Sequence, residues 1–96
     1  MRYYRRVDEG YHVPGERWGD PIYWVEVNDD GHAERQLEVY PNGRVHSYDR
    51  THDSDEYGGL GIMVVDGNED WWAPFQIPAA EFEAAWQAHA PMNRGA

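Results

Sequence analysis

The sequence predicts an α+β domain in which an antiparallel sheet of four to six strands is packed by one C-terminal helix. Three observations predict it. Apolar and polar residues alternate from Ile22 to Val27 and again from Arg35 to Tyr40, the period of half-buried strands. Two turn-forming runs, NDDG and YPNGRV, follow those segments in the places where hairpins need them. Within PAAEFEAAWQAHA, Phe82, Ala85, Trp86 and His89 recur at i, i+3, i+4 and i+7 and make one face of a helix. At 96 residues the chain can build one core, so residues 1–96 are read as a single domain.

Taken in order, RYYRRV at residues 2–7 is aromatic and β-branched enough for a first strand. The next stretch holds Gly10, Pro14, Gly15, Gly19 and Pro21, which sustain neither a helix nor a central strand, so residues 8–21 are expected to be a long loop. In the second strand Tyr23, Val25 and Val27 share one face, and Ile22, Trp24 and Glu26 the other. In the third, Leu37 and Val39 lie opposite Gln36, Glu38 and Tyr40. Pro41 suits the fixed φ of a turn, Asn42 and Gly43 suit positive φ, and Arg44 to Tyr48 is read as the fourth strand.

Residues 49–59, DRTHDSDEYGG, read as a second polar loop, and LGIMVV after it as a buried strand. WWAPFQI at residues 71–77 is expected to be an edge strand, where Pro74 is tolerated because one side needs no ladder donor. Pro78 then suits the first helical turn, Glu81 and Glu83 complement its positive end, and Pro91 is expected to stop the helix. Burying Phe82 and Trp86 is worth roughly 1.5–3 kcal/mol each, so Trp86→Ala is expected to loosen the fold badly, as a thermal melt would report.

Composition narrows function by exclusion. There are 18 acids against 8 basic residues, all arginine, giving a net charge of -10. That field opposes the phosphate backbone, so no direct nucleic-acid binding is expected, whereas a basic partner would be steered inward. The absence of cysteine removes disulfides and thiolate zinc sites. No segment has the apolar length of a signal peptide core or a membrane span, so the expected address is the cytoplasm, with no membrane partner. Arginine without lysine, together with abundant Gly, Ala and Asp, suggests a GC-rich bacterial genome.

Motifs for chemistry are weak. His46 and His52, with Asp49 and Asp53 nearby, match no metal-ligand spacing, so no metal and no cofactor are expected. HDSDE contains triad residue types, but contiguous loop residues do not converge as a triad must. DGNED offers Asp66, Asn68 and Asp70 as in a calcium loop, yet Trp71 stands where that loop needs glycine, and Ile77 where it needs glutamate. YGGLG lacks the lysine, hydroxyl and helix of a phosphate cradle. No catalytic residue is nominated.

Surface chemistry is more informative. Aromatics beside charges are the usual ingredients of interface anchors. Asp53, Asp55, Glu56, Asp66 and Asp70 are therefore nominated to steer a partner, and Tyr57 and Trp72 to anchor it, although alternation demands that one of Trp71 and Trp72 point inward. A second possibility is a small ligand held between loop 8–21 and an aromatic face of Trp24, Tyr40 and Tyr48. A third, nucleic-acid mimicry, needs the acids arranged as a phosphate track.

EVNDDGHAERQLEVYPNGRV, the later GGLG and the tail IPAAEFEAAW together resemble a family of small, mainly actinobacterial domains of unknown function. Their pattern is Y-x-E-x-D-D-D-G-x-E-x-R-x-V-E-x-F-x-D-G-R, a glycine-rich GGTxLG and an IS-x-E-E-F-E-x-x-W helix. The chain departs from it with Asn28 and Asn42 in place of acids and Pro78 in place of the capping serine. The resemblance implies a stand-alone bacterial module and transfers no activity. Some such small acidic proteins look like the immunity partners of secreted toxins. The expectation is accordingly a non-enzymatic, acidic protein-binding module, of the kind that occupies a basic surface on a toxin or nuclease.

Overall fold

Four strands and a helix account for most of the ordered architecture. The computed structural model describes residues 1–7, 19–55, 58–61 and 72–94, with side chains as far as Ala90. Strands β1 (Arg2–Val7), β2 (Ile22–Val27), β3 (Ala33–Val39) and β4 (Val45–Asp49) follow the alternating segments, with two-residue strands β5 (Ser54–Asp55), β6 (Gly58–Gly59) and β7 (Gln76–Ile77), and helix α1 spans Ala79–Arg94. The main sheet has the order β4-β3-β2-β1-β7, every pairing antiparallel, while β5 and β6 form a separate hairpin. The fold class is therefore a five-stranded antiparallel sheet packed by one C-terminal helix. Among the described residues no helix is long and apolar enough to cross a membrane.

Local chemistry closes the hairpins. At the β2–β3 turn, Asn28 Oδ1 accepts from the backbone N–H groups of Asp30 and His32, at 2.9 and 3.0 Å, so one side chain organises the reversal. At the β3–β4 turn, the Gly43 N–H donates to the Tyr40 carbonyl and the Tyr40 N–H to that of Arg44. Gly43 alone there takes positive φ, at 93°. Asn42 does not, because a type I turn followed by one left-handed residue needs that freedom only once.

Register decides which side chains share a face. Tyr3 pairs with Glu26, Glu26 with Arg35, Trp24 with Leu37 and Leu37 with Ser47. These six residues stand on the face that α1 covers. Phe82, fully buried, sits 5.3 Å from the Tyr3 ring and stacks on Trp86, and the Arg35 guanidinium lies over both helix rings, 4.9 and 5.2 Å from their centroids. Arg35 donates from Nε and one terminal nitrogen to the two oxygens of Glu26, at 2.9 and 2.7 Å, and from its terminal nitrogens to Glu83 on α1. One arginine thus ties the sheet to the helix by charge and by ring stacking. Its pKa is raised, first by the hydrogen bonds it donates to Glu26.

The opposite face carries Tyr4, Val25, Val27 and Ala33, with Trp72 packed against them and Tyr23 and Leu60 partly buried beside them. Tyr4 meets Trp72 edge-on at 5.4 Å. The fold therefore buries both sheet faces. A sequence reading that assigned one face to core and one to solvent could not separate them, because arginine and glutamate on the helix side carry the alternation of a wet surface.

Two expectations change. Residues 73–75 form a 3-10 turn and only Gln76–Ile77 pair as strand, so the described part of the expected edge strand is two residues long. Pro74 sits within the first two positions of that turn, where its missing N–H costs nothing. Pro91 does not stop α1, which continues to Arg94, since proline forfeits one backbone hydrogen bond without forbidding the turns that follow. Most of the expected loop 8–21, and LGIMVV beyond Gly61, lie outside the described residues, as do Trp71 and its neighbours in DGNED.

Candidate functional site

The site is built by the segment after β4. Tyr48, with none of its surface exposed, points from β4 into the face opposite α1, and its hydroxyl donates to Asp55 Oδ1 at 2.9 Å. From β3, the buried Gln36 amide donates to the Gly59 carbonyl at 3.1 Å, and its oxygen accepts the Gly61 N–H at 2.7 Å. Leu60 N–H closes onto the Asp53 carbonyl at 2.8 Å. The start of the segment is fixed as firmly. Asp49 Oδ1 accepts from the Thr51 hydroxyl and from the N–H groups of Thr51 and His52, and the His52 ring stacks on Tyr48. Two buried polar side chains on neighbouring strands therefore position a polar hairpin that propensity alone would leave loose.

Between this hairpin and the β2–β3 turn lies a cleft of about 480 Å³, with Ala33 and Leu60 as apolar lining and His32, Arg50, Asp53 and Ser54 as polar lining. Its volume falls in the range of small-ligand sites, roughly 300–1,000 Å³. The cationic rim is already engaged. Arg50 donates from Nε and a terminal nitrogen to the two Glu34 oxygens, at 3.1 and 3.3 Å, and Asn28 Nδ2 donates to the same carboxylate at 2.7 Å. The Asn28 amide first, then Arg50, and more weakly His32, hold the Glu34 carboxyl below the usual carboxylate range. Glu34 reaches this position because the β2–β3 register shifts after Glu26, setting it beside the turn. Asp53, by contrast, is exposed and ion-pairs with no cation among the described residues.

Behind the hairpin the sheet carries buried polar groups. Glu38 accepts from Gln36 Nε2 and from the Tyr40 hydroxyl, both at 3.0 Å, and its cross-strand partner His46 lies against the Tyr40 ring. Burial pushes the His46 pKa down, against the Asp55 charge and with that of Arg44. A histidine favoured in its neutral form by the fold contributes stability that is complete above its unfolded pKa of about 6.5 and is lost as pH falls toward the lower folded value. His46→Gln is accordingly expected to flatten the stability profile between about pH 7 and pH 5 in urea titrations, while wild type loses stability over that interval. No group of three His, Cys, Asp or Glu residues fit to hold a metal occurs among the described residues.

The nominated residues separate into groups. Asp53 and Asp55 are both exposed on the hairpin, close to the cleft. Glu56, Tyr57, Asp66 and Asp70 lie outside the described residues. Trp72, only 5% exposed, packs in the core against Tyr4 and is no surface anchor, because its ring fills the face that β1 and β2 leave apolar. The aromatic trio also divides. Trp24 pairs with Leu37 on the helix face, whereas Tyr48 pairs with Gln36 and points the other way with Tyr40, which bonds to Glu38. Tyr40 and Tyr48 are moreover 3% and 0% exposed.

Gln36, Arg50, Ser54 and Leu60 escaped the sequence reading. The one signal for them was the turn chemistry of DRTHDS, which predicts that residues 49–54 fold back on β4. The chain matches no protein-family model, no curated protein and no solved structure. The geometry itself is therefore what defines the class: an α+β domain presenting a braced acidic hairpin beside an open cleft.

Close approach fixes one residue of that hairpin. A Cβ on Gly59 would stand 2.6 Å from the Asp53 carbonyl oxygen and 3.2 Å from the Ser54 Cβ. The obstacle is backbone, so Gly59→Ala must open the β5–β6 pair. The expected cost is about 1–3 kcal/mol, seen as faster hydrogen exchange at the Leu60 amide while amides of β2 and β3 keep their protection.

Proposed function

We propose that this protein is a non-enzymatic, acidic protein-binding module whose partner is basic, with an immunity or inhibitor protein acting on a basic toxin or nuclease as the specific case. One observation supports it above others: Asp53 and Asp55 are exposed on a hairpin held by side chains buried in the sheet. Charges on a braced element lose little conformational freedom when a partner docks, so more of their interaction energy survives as affinity. A net charge of -10 adds long-range steering toward a cationic surface. The resemblance to small bacterial domains fits the same reading, as does the expected cytoplasmic address.

The small-ligand reading built on Trp24, Tyr40 and Tyr48 loses its support, because those rings divide between two sheet faces. The experiment is capture from lysate of the native host at low salt, with elution by rising salt and identification by mass spectrometry. Wild-type protein is expected to retain a stoichiometric basic protein that the Asp53→Lys/Asp55→Lys double variant fails to retain. Equal capture by both proteins, or no protein partner for either, would overturn the proposal.

A further inference from the structure

Resting on that docking reading, we propose that the cleft between the β5–β6 hairpin and the β2–β3 turn is a socket for one arginine or lysine side chain of the partner. The cleft lining combines the apolar and acceptor groups that such a side chain requires. Ala33, buried, and Leu60, half-buried, offer apolar contact for a methylene stem, while the exposed Asp53 and Ser54, which also line the cleft, supply acceptor groups for its charged head. Long basic side chains bind in this manner, stem on apolar surface and head among polar groups.

The charges around the cleft select a cation. Arg50 and His32 line it too, yet both lie with Glu34, whose two oxygens take the Arg50 guanidinium in a paired contact. Asp53 is the lining carboxylate that has no cation among the described residues. An incoming carboxylate would meet Asp53 and would have to compete with Glu34 for Arg50. An incoming guanidinium meets an acceptor already in place, since the Asp53 backbone is fixed by its bond from Leu60 N–H. Planar guanidinium can engage a carboxylate through two parallel bonds, so arginine should be preferred to lysine.

The test uses Nα-acetyl-arginine methylamide, the lysine analogue and the uncharged norleucine analogue as probes, followed by amide NMR of the whole chain. The arginine probe is expected to give saturable shifts at Ala33, Ser54, Gly59 and Gly61. The lysine probe should give the same pattern more weakly, and norleucine none. Asp53→Asn, whose side chain makes no hydrogen bond among the described residues, should weaken the arginine probe about tenfold, the loss of one charged hydrogen bond. Glu81→Gln, exposed on the helix that covers the opposite sheet face, should leave it unchanged. Shifts scattered over exposed acids, equal shifts from norleucine, or insensitivity to Asp53→Asn would overturn the socket. A salt-eluted basic partner captured by a protein whose cleft ignores the arginine probe would leave the docking reading standing and remove only the socket. Saturable cleft shifts with no protein partner would do the reverse.

Discussion

Phe82→Ala is expected to bring the protein to the margin of unfolding at room temperature. Phe82 is 0% exposed and is touched on three sides, by Tyr3 on β1, by Trp86 on its own helix and by the Arg35 guanidinium. Removing a buried phenyl ring costs about 3–5 kcal/mol, in lost transfer energy and in the cavity that remains. Small domains have about 5–15 kcal/mol in total, and one with a single modest core stands near the lower end. The helix cannot compensate by itself, because a 16-residue segment is marginal in water without a packed face. Far-UV circular dichroism and a thermal melt should show reduced helix and a strongly lowered transition. Phe82→Leu, which keeps most of the apolar volume, should hold both closer to wild type.

Arg35→Ala is expected to destabilise by about 3–5 kcal/mol, a magnitude set by what it leaves behind rather than by what it removes. Glu26 has a side chain 8% exposed and takes two hydrogen bonds from Arg35, and without them a buried carboxylate would keep chiefly its bond with the Tyr3 hydroxyl. Glu83, on the exposed rim, would lose the partner that holds its carboxyl below the usual range. In a chain of this size about 1 kcal/mol corresponds to 4–8 °C, so the melting temperature should fall by more than about 12 °C. The discriminating comparison is the double variant Arg35→Met/Glu26→Gln. With the buried charge gone and an apolar stem over Phe82 and Trp86, it should recover at least half of the loss. A double variant as unstable as Arg35→Ala would mean that stacking, not the stranded carboxylate, dominates.

The same ion pair fixes a pH limit. Glu83 has a depressed pKa because of Arg35, so its contribution is present above the unfolded carboxylate range and disappears as pH falls through the lower folded value. Wild type should therefore lose a second increment of stability below about pH 4.5, beneath the His46 interval, and Glu83→Gln should lack that increment in urea titrations.

The strands were readable because alternation and turn chemistry agree. Ile22–Val27 and the Asn28 and Gly43 turns needed no tertiary information. Alternation cannot say which face of one strand joins which face of the next. Trp24 pairs across to Leu37, so it belongs with the helix rather than with Tyr40 and Tyr48, a fact that only the inter-strand register contains. Arg35 was unreadable for a related reason. An arginine among glutamates on a strand has the signature of a solvated face, and its burial depends on Glu83, 48 residues away in the chain. Trp72 reads as an anchor in the sequence because adjacency to acids suits an exposed anchor and a core ring equally well, whereas the fold buries it. Asp53 and Asp55 were legible as charged residues in a turn, but Gln36, which braces their hairpin, sits on another strand.

The most direct measurement is the association rate constant of the basic partner, followed by stopped flow at about 20 and 200 mM salt for wild type and for Asp53→Lys/Asp55→Lys. A docking surface steered by these acids predicts a wild-type rate that falls steeply as salt screens the field, and a double variant at least about tenfold slower at low salt, the two converging at high salt. Identical rates for the two proteins at low salt would contradict it, since the hairpin acids would then take no part in the encounter.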